Sequence, residues 1–381
     1  MKILVAGNYY YPEHLGGVET VSFNLVKHYR RAGHQVRWLA ADVPPHYRAV
    51  QPGDVPVRSW NITEERLGFP HPIPNPGAVV KVAESVRWCD VVHLQDCLYS
   101  TNVLTFAIAR ALHRPVLITQ YAKLIPYSQA YKRLLQSACY ATIGHWMFSA
   151  TDRLVFITKN VRDGMGYVNP RKQYGVLPLG VDTDIYRPIS DEERRAIRSR
   201  YTCDPSKPLI LFVGRMVERK GVGLFRALIP AHPEWNWVMV GRPDDYDPAA
   251  WSAPNLAYRA RLEQGELSEL FASADLLLHP TKGEGLTLTV SESMATGTPA
   301  VISKESLYEV RAGDRLLFRA VDLESGSIEV GIKSLVTMSP MKAKRLRNAC
   351  RRFAERRYSW QSVSDQYLTL LSETLQLSHQ G

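Results

Sequence analysis

The chain has 381 residues, 45% of them hydrophobic and 22% charged, with a net charge of +10. That length suits two domains of ordinary size, the composition is that of a soluble globular protein, and no segment approaches the roughly 18 uninterrupted apolar residues of a membrane span. The positive balance suits an anionic partner, whether a nucleotide diphosphate, a nucleic acid or an anionic membrane surface, or else serves solubility alone.

In chain order, residues 1–7 are too short in their apolar part for a signal peptide and read as a buried first strand over 2–7. A helix is predicted over 18–31, ended by Gly33, and a strand over 35–40. Helix 79–88, strand 90–94, helix 102–112, strand 115–119 and strand 153–157 follow. Between 127 and 172 the cations Lys132, Arg133, Arg153, Lys159, Arg162, Arg171 and Lys172 face only Asp152 and Asp163, interleaved with Tyr127, Tyr131, Leu134, Leu135, Tyr140, Trp146 and Phe148. Such a stretch either lies on a bilayer surface or forms a helix pair with one face in the core; the second is the simpler reading. Proline, glycine and a charged run over 190–200 mark an inter-domain connection. The pattern then restarts with strand 209–214, helix 221–228, strand 237–241, a weak strand 256–259 and helix 267–274. Strand 276–280, helix 286–296, strand 300–303 and helical stretches from 340 to about 376 complete it. Alternation of evenly apolar strands with helices argues an α/β fold of parallel, doubly wound sheets. The five cysteines, Cys89, Cys97, Cys139, Cys203 and Cys350, lack metal-ligand spacing; reduced thiols in a cytosolic protein are the expectation.

Ligands of such sheets bind beyond the carboxyl ends of the strands, and three loops there carry chemistry. After the first strand, Pro12, Glu13 and His14 lead to Gly16-Gly17 before a helix, where backbone N–H groups can approach a phosphate; a tight turn is the plainer alternative. After strand 209–214, Gly214-Arg215 and Lys220-Gly221 place two cations on one strand-to-helix loop, the makings of a diphosphate clamp. After strand 276–280 come Glu284, Gly285, Leu286 and Thr287, with Glu292 eight residues beyond Glu284 on the helix so opened. Carboxylates accept hydrogen bonds from sugar and ribose hydroxyls, and the helix start between them offers amides. Read separately, Glu284 could equally cap the helix and Glu292 lie on the surface. Asp182-Thr183-Asp184 reads as turn chemistry rather than a metal site.

The span from Glu284 to Glu292 resembles the E-x7-E element of glycosyltransferase family four, retaining enzymes of the two-Rossmann GT-B fold. Glu292-Ser293-Met294-Ala295-Thr296-Gly297-Thr298-Pro299 is similar to that family's E-A-M-A-x-G-x-P. Pro12 to Glu19, Gly180-Val181-Asp182 with Arg187-Pro188, Gly214-Arg215 to Lys220-Gly221, Ala274-Asp275 and Arg357-Tyr358-Ser359-Trp360 match in the family's order, across nearly the whole chain. The resemblance implies two Rossmann-like domains facing a central cleft: an acceptor domain over 1–185, a connection over 186–206 and a donor domain over 207–358. It also implies a C-terminal helix, about 360–376, that crosses back. Arg215, Lys220 and Glu284 would be catalytic. Gly16, Gly17, Gly214, Arg261, Leu262, Gly285, Leu286, Thr287 and Glu292 would join them around the donor, with Glu292 on the ribose. Tyr10, His14, His93 and Tyr121 are candidates on the acceptor side. The implied reaction is front-face hexose transfer with retained configuration from a UDP- or GDP-sugar to a glycan or lipid-linked glycan, as in bacterial polysaccharide or glycolipid assembly. It needs no cofactor, no obligatory metal and no nucleic acid, and is placed in the cytoplasm, at the membrane's inner face if an anionic surface is a partner. The sequence departs from the family where Thr119-Gln120-Tyr121 replaces Thr-x-His, Thr287 replaces glycine and Leu179 replaces asparagine. A nucleotide-sugar epimerase or phosphorylase-like enzyme, and a basic nucleic-acid-binding protein, stand as alternatives; no pyridoxal-phosphate or nucleic-acid-binding motif is visible.

Overall fold

Short runs of valine, isoleucine and leucine form the central strands, which are covered on both faces. The computed structural model describes every residue except 15, 16, 45, 48, 49, 68–70, 125–128, 166–173, 203, 283, 284 and 379–381. The chain divides into two compact units, one of Met1–Pro178 with Val363–Gly381, the other of Leu179–Ser362.

The first unit holds β1 (Lys2–Ala6), β2 (Gln35–Asp42), β3 (Asp54–Trp60), β4 (Ile73–Pro74), β5 (Val91–Gln95), β6 (Val116–Gln120), β7 (Arg153–Phe156) and β8 (Tyr174–Val176). Their order is β4-β3-β2-β1-β5-β6-β7-β8, parallel except for β4 against β3. The second unit holds β9 (Leu209–Val213), β10 (Asn236–Val240), β11 (Leu256–Arg259), β12 (Leu276–His279), β13 (Ala300–Ser303) and β14 (Phe318–Val321). These are all parallel, in the order β11-β10-β9-β12-β13-β14. Strand order reverses between β1 and β5 and between β9 and β12, which opens the crevice where doubly wound sheets receive ligands. Period-two alternation feeds a core on each side of the second sheet: Leu209, Leu211 and Leu277 face one, Ile210, Phe212, Leu276 and Leu278 the other.

Several elements lie outside the sequence expectation. Strands β3, β4, β8 and β14 are short or half-buried and lack the even apolar run that marks a central strand. The charged run after Ser190 is the helix Asp191–Arg198, started by a reciprocal capping box of Ser190 and Glu193. It packs on the helix Gln264–Ser273, and the whole segment 186–206 belongs to the second unit. The basic, aromatic stretch forms the helix Ala130–Cys139, a π-helical turn Tyr140–Gly144 and the helix His145–Ala150. Tyr140, Met147 and Phe148 face the core, but the helix Ala130–Cys139 buries no residue. That part of the stretch has no core face, contrary to the simpler reading.

Two sequence motifs clasp each other inside the second unit. The Val181 amide donates to the Tyr358 carbonyl at 2.6 Å, and the Trp360 amide donates back to Val181 at 3.3 Å. A Cβ on Gly180 would stand 2.3 Å from the Trp360 ring. Gly180-Val181 and Tyr358-Ser359-Trp360 therefore serve packing. The last helix, Trp360–Ser378, joins the first unit from Val363 onward. There Glu373 pairs with Arg153 at 2.8 Å, and the Thr119 hydroxyl donates to the Tyr367 oxygen at 3.3 Å.

Candidate functional site

In the second unit the loops leaving β9, β10 and β12 are pressed together by glycines. Gly241 has φ +147°, and a Cβ there would lie 1.9 Å from the Gly214 carbonyl oxygen. Gly221 has φ +71°, with its missing Cβ directed 2.3 Å from the Pro280 carbonyl oxygen. The Lys282 amide donates to the Arg219 carbonyl at 2.9 Å. This stitching carries Lys220 to the end of β12, where His279 is buried. Burial first, and then the charge of Lys220, hold the imidazole neutral, with its pKa lowered to about 3. Thr287 Oγ1 lies 3.0 Å from His279 Nε2, and Thr281 Oγ1 3.4 Å from Nδ1. Thr287 stands at the N-cap of the helix Leu288–Ala295 yet turns its hydroxyl to the histidine instead of capping. Gly285 is buried beside it and Leu286 packs on the core.

Arg215 is 54% exposed and donates from Nε to Asp244 Oδ2 at 2.8 Å; Arg242 holds the other carboxylate oxygen at 3.1 Å. Hydrogen bonding from Arg215 keeps the Asp244 carboxyl below its ordinary range. Glu292 meets the buried Tyr186 hydroxyl, which also bonds to Gln264. Burial raises the Glu292 carboxyl to about 7, and the bond from Tyr186 partly opposes that shift. Arg261 is exposed, 3.7 Å from Glu263, while Leu262 packs on the core. Asp182 accepts from the amides of Asp184 and Ile185 at 3.0 and 3.2 Å, an Asx turn. Glu284 and Gly16 lie outside the described residues.

In the first unit Gly17 begins the helix Gly17–Arg31, and a Cβ on it would meet open space, so packing does not demand glycine there. The acceptor-side candidates divide. Tyr10 is 1% exposed, donates its hydroxyl to the Trp38 carbonyl at 2.7 Å and stacks on Tyr47. His93 is fully buried between the Tyr29 hydroxyl at 3.2 Å and Thr119 Oγ1 at 2.8 Å, and burial lowers its pKa to about 3. Side chains so enclosed pack the sheet, which corrects the acceptor reading for both. His14 stacks on Tyr9, and Tyr121 donates to the buried Gln95; these two stay at the carboxyl edge of the sheet. Nearby, burial raises Asp96 to about 6, against hydrogen bonds from backbone amides and Gln120.

Residues 15–185 match the family model described as Glycosyltransferase Family 4, and residues 207–329 match Glycosyl transferases group 1. The chain belongs to glycosyltransferase family 4. This transferase is 26% identical to the GDP-mannose-dependent alpha-mannosyltransferase of Mycolicibacterium smegmatis over 79% of each chain. Two solved structures share its fold, the two-Rossmann GT-B architecture. Anabaena Alr3699/HepE in complex with UDP gives TM-score 0.72 at 14% identity, covering 98% of this chain and 100% of that one. Sucrose-phosphate synthase from Thermosynechococcus elongatus gives 0.70 at 15%, covering 97% and 98%.

Sequence reasoning passed over three partners in this glycosyltransferase: His279, Tyr186 and Asp244. Tyr186 directly precedes Arg187-Pro188, and its aromatic bulk there was the one available signal. His279 is the last residue of a strand, where only tertiary contacts separate a core imidazole from a ligand. The raised Glu292 carboxyl has a measurable sign. A carboxyl whose folded pKa stands above its unfolded value binds its proton more tightly when folded. Its stabilising contribution is present below about pH 4.5 and is lost as pH rises through about 7. Glu292→Gln should therefore gain melting temperature relative to wild type as pH increases from about 5 to about 8. A difference that stays constant over that range would show that the carboxyl does not titrate there.

Proposed function

We propose that this glycosyltransferase moves a hexose from a UDP- or GDP-sugar to a glycan or lipid-linked glycan, with retention at the anomeric carbon and without a cofactor, an obligatory metal or a protein nucleophile. The reading rests on one observation above all: Lys220 is drawn by glycine-enforced loop contacts to the end of β12, against a histidine kept neutral. A cation at a strand reversal suits a departing diphosphate. In the proposed step the bond between the anomeric carbon and the diphosphate oxygen breaks. The acceptor oxygen bonds to the same face of the sugar, and its proton passes to the departing phosphate oxygen. Lys220 and Arg215 neutralise the charge that develops on that phosphate, with Arg215 exchanging Asp244 for the diphosphate. Gly285, Leu286 and Thr287 supply backbone, Glu284 meets sugar hydroxyls and Glu292 the ribose, while His14 and Tyr121 remain on the acceptor side. Such an arrangement works by positioning and charge stabilisation.

A relative named for GDP-mannose and a fold neighbour solved with UDP support both nucleotide choices. No described helix is long and apolar enough to cross a membrane, and action at the cytoplasmic face of an anionic bilayer is part of the proposal. A thermal-shift panel of UDP, GDP, ADP and their sugars tests the reading. A ligand at 100 times its Kd stabilises the folded state by about 2.7 kcal/mol, so the UDP or GDP series should stand apart. No response to any nucleotide, together with steeply salt-dependent nucleic-acid binding, would sink it.

A further inference from the structure

The first unit contains a cavity of about 670 Å³ that the reaction as described does not use. Val103 and Leu104 form one wall, from the helix Ser100–Ala111. Its inner end is Asp96 and Tyr140, 7% and 4% exposed. Its mouth is marked by Ala107, Leu135 and Ile143, which line the cavity and are exposed as well. Protein interiors leave few voids larger than a water molecule, whereas sites for small molecules span about 300–1,000 Å³. The surface that the lining presents is largely apolar, and a sugar hydroxyl left without a partner against it is costly to bury.

The mouth opens on a surface with one chemical character. Around it Leu134 is 73% exposed, Tyr131 57% and Trp146 43%. From 130 to 150 the chain has Lys132, Arg133 and His145 but no aspartate or glutamate. Large apolar side chains beside cations and away from anions suit the boundary of an anionic lipid layer. The inner end, at Asp96, directly follows β5, one of the two strands that flank the reversal of strand order in this sheet. A chain held in the cavity would thus have one end at the ligand edge of the sheet and the other at the lipid-like surface.

We propose that this cavity takes the hydrocarbon chain of a phosphate-bearing lipid, and that this lipid carries the acceptor. The inference rests on the lipid-linked acceptor named above. Burial of the chain drives binding, so affinity grows with chain length, and Lys123, which lines the cavity just beyond the carboxyl end of β6, favours an anionic head group at the ligand edge. Calorimetric titration of the full chain with butyl, octyl and dodecyl phosphate, each below its micelle concentration, tests this. Affinity should rise at least about 100-fold from butyl to dodecyl phosphate. Ala107→Trp, which adds bulk at an exposed position of the mouth, should weaken dodecyl phosphate about 10-fold or more and leave nucleotide-diphosphate binding unchanged. Val103→Phe, from the side wall, gives the same readout should Ala107→Trp fold poorly. Affinity independent of chain length overturns the assignment. So does dodecyl phosphate binding that survives both variants but is lost in Leu134→Gln, which would mean adsorption on the outer face. The inference and the reading beneath it fail separately: transfer confined to soluble glycans removes the lipid acceptor, whereas donor binding without any chain-length effect removes the cavity assignment alone.

Discussion

Lys220→Ala is expected to lower turnover by about 100-fold or more, and Arg215→Ala by a similar factor. In the proposed step both cations meet charge that grows as the diphosphate leaves, so the loss should fall on kcat more than on KM. Lys220 is the better-defined case. Its aliphatic stem passes the bare Cα of Gly214, where a Cβ would lie 3.8 Å from Cδ and Cε. The imidazole of His279, held neutral by burial and by the charge of Lys220, adds no charge of its own. Arg215 begins in an ion pair with Asp244, so part of its contribution is offset by the cost of leaving that partner. Lys220→Arg keeps the charge on a planar group of different shape and should recover only part of the rate. Steady-state kinetics with the donor identified by thermal shift decides the matter. Near-normal turnover in both alanine variants contradicts the clamp.

Gly221→Ala should be nearly as damaging, for a reason that involves no lost functional group. The residue has φ +71°, and a methyl there would press to 2.3 Å from a backbone oxygen, that of Pro280. Left-handed backbone costs a non-glycine residue about 1–2 kcal/mol, and the carbonyl can retreat only if the end of β12 moves with it. The melting temperature should fall, and turnover should approach that of Lys220→Ala because the lysine and the strand end separate. Gly326→Ala is the matched control. It sits in the helix Ser325–Val336 with nothing within 4 Å of its missing Cβ, and should be neutral or more stable by roughly 0.5–1 kcal/mol. Equal stability and activity of Gly221→Ala and Gly326→Ala would show that the two loops are not in contact as described.

The pattern of success in reading the sequence follows burial. Strands such as β9 and β12 are covered on both faces, so their residues are apolar up to the closing His279 of β12, and the pattern is visible without neighbours. Strands β4 and β8 are short edge elements of the first sheet, and what defines them is the partner strand. Among the candidate site residues, Arg215 and Lys220 stand out in the sequence because a cation at a strand-to-helix loop has a local signature. Tyr10 and His93 mislead for the same reason: polar atoms near a strand end look available until Trp38, Tyr29 and Thr119 are seen to occupy them.

The amino-acid order alone determined the two doubly wound sheets, the family and the position of the basic and acidic residues along the chain, because those depend on periodicity and on motifs a few residues long. Only the folded chain decided that the charge of Lys220 acts on His279, that Tyr186 reaches Glu292 across more than a hundred residues, and that the helix Ala130–Cys139 leaves its apolar side chains outside beside a cavity. Contacts of that kind are made between elements brought together by sheet topology, and no local propensity encodes them.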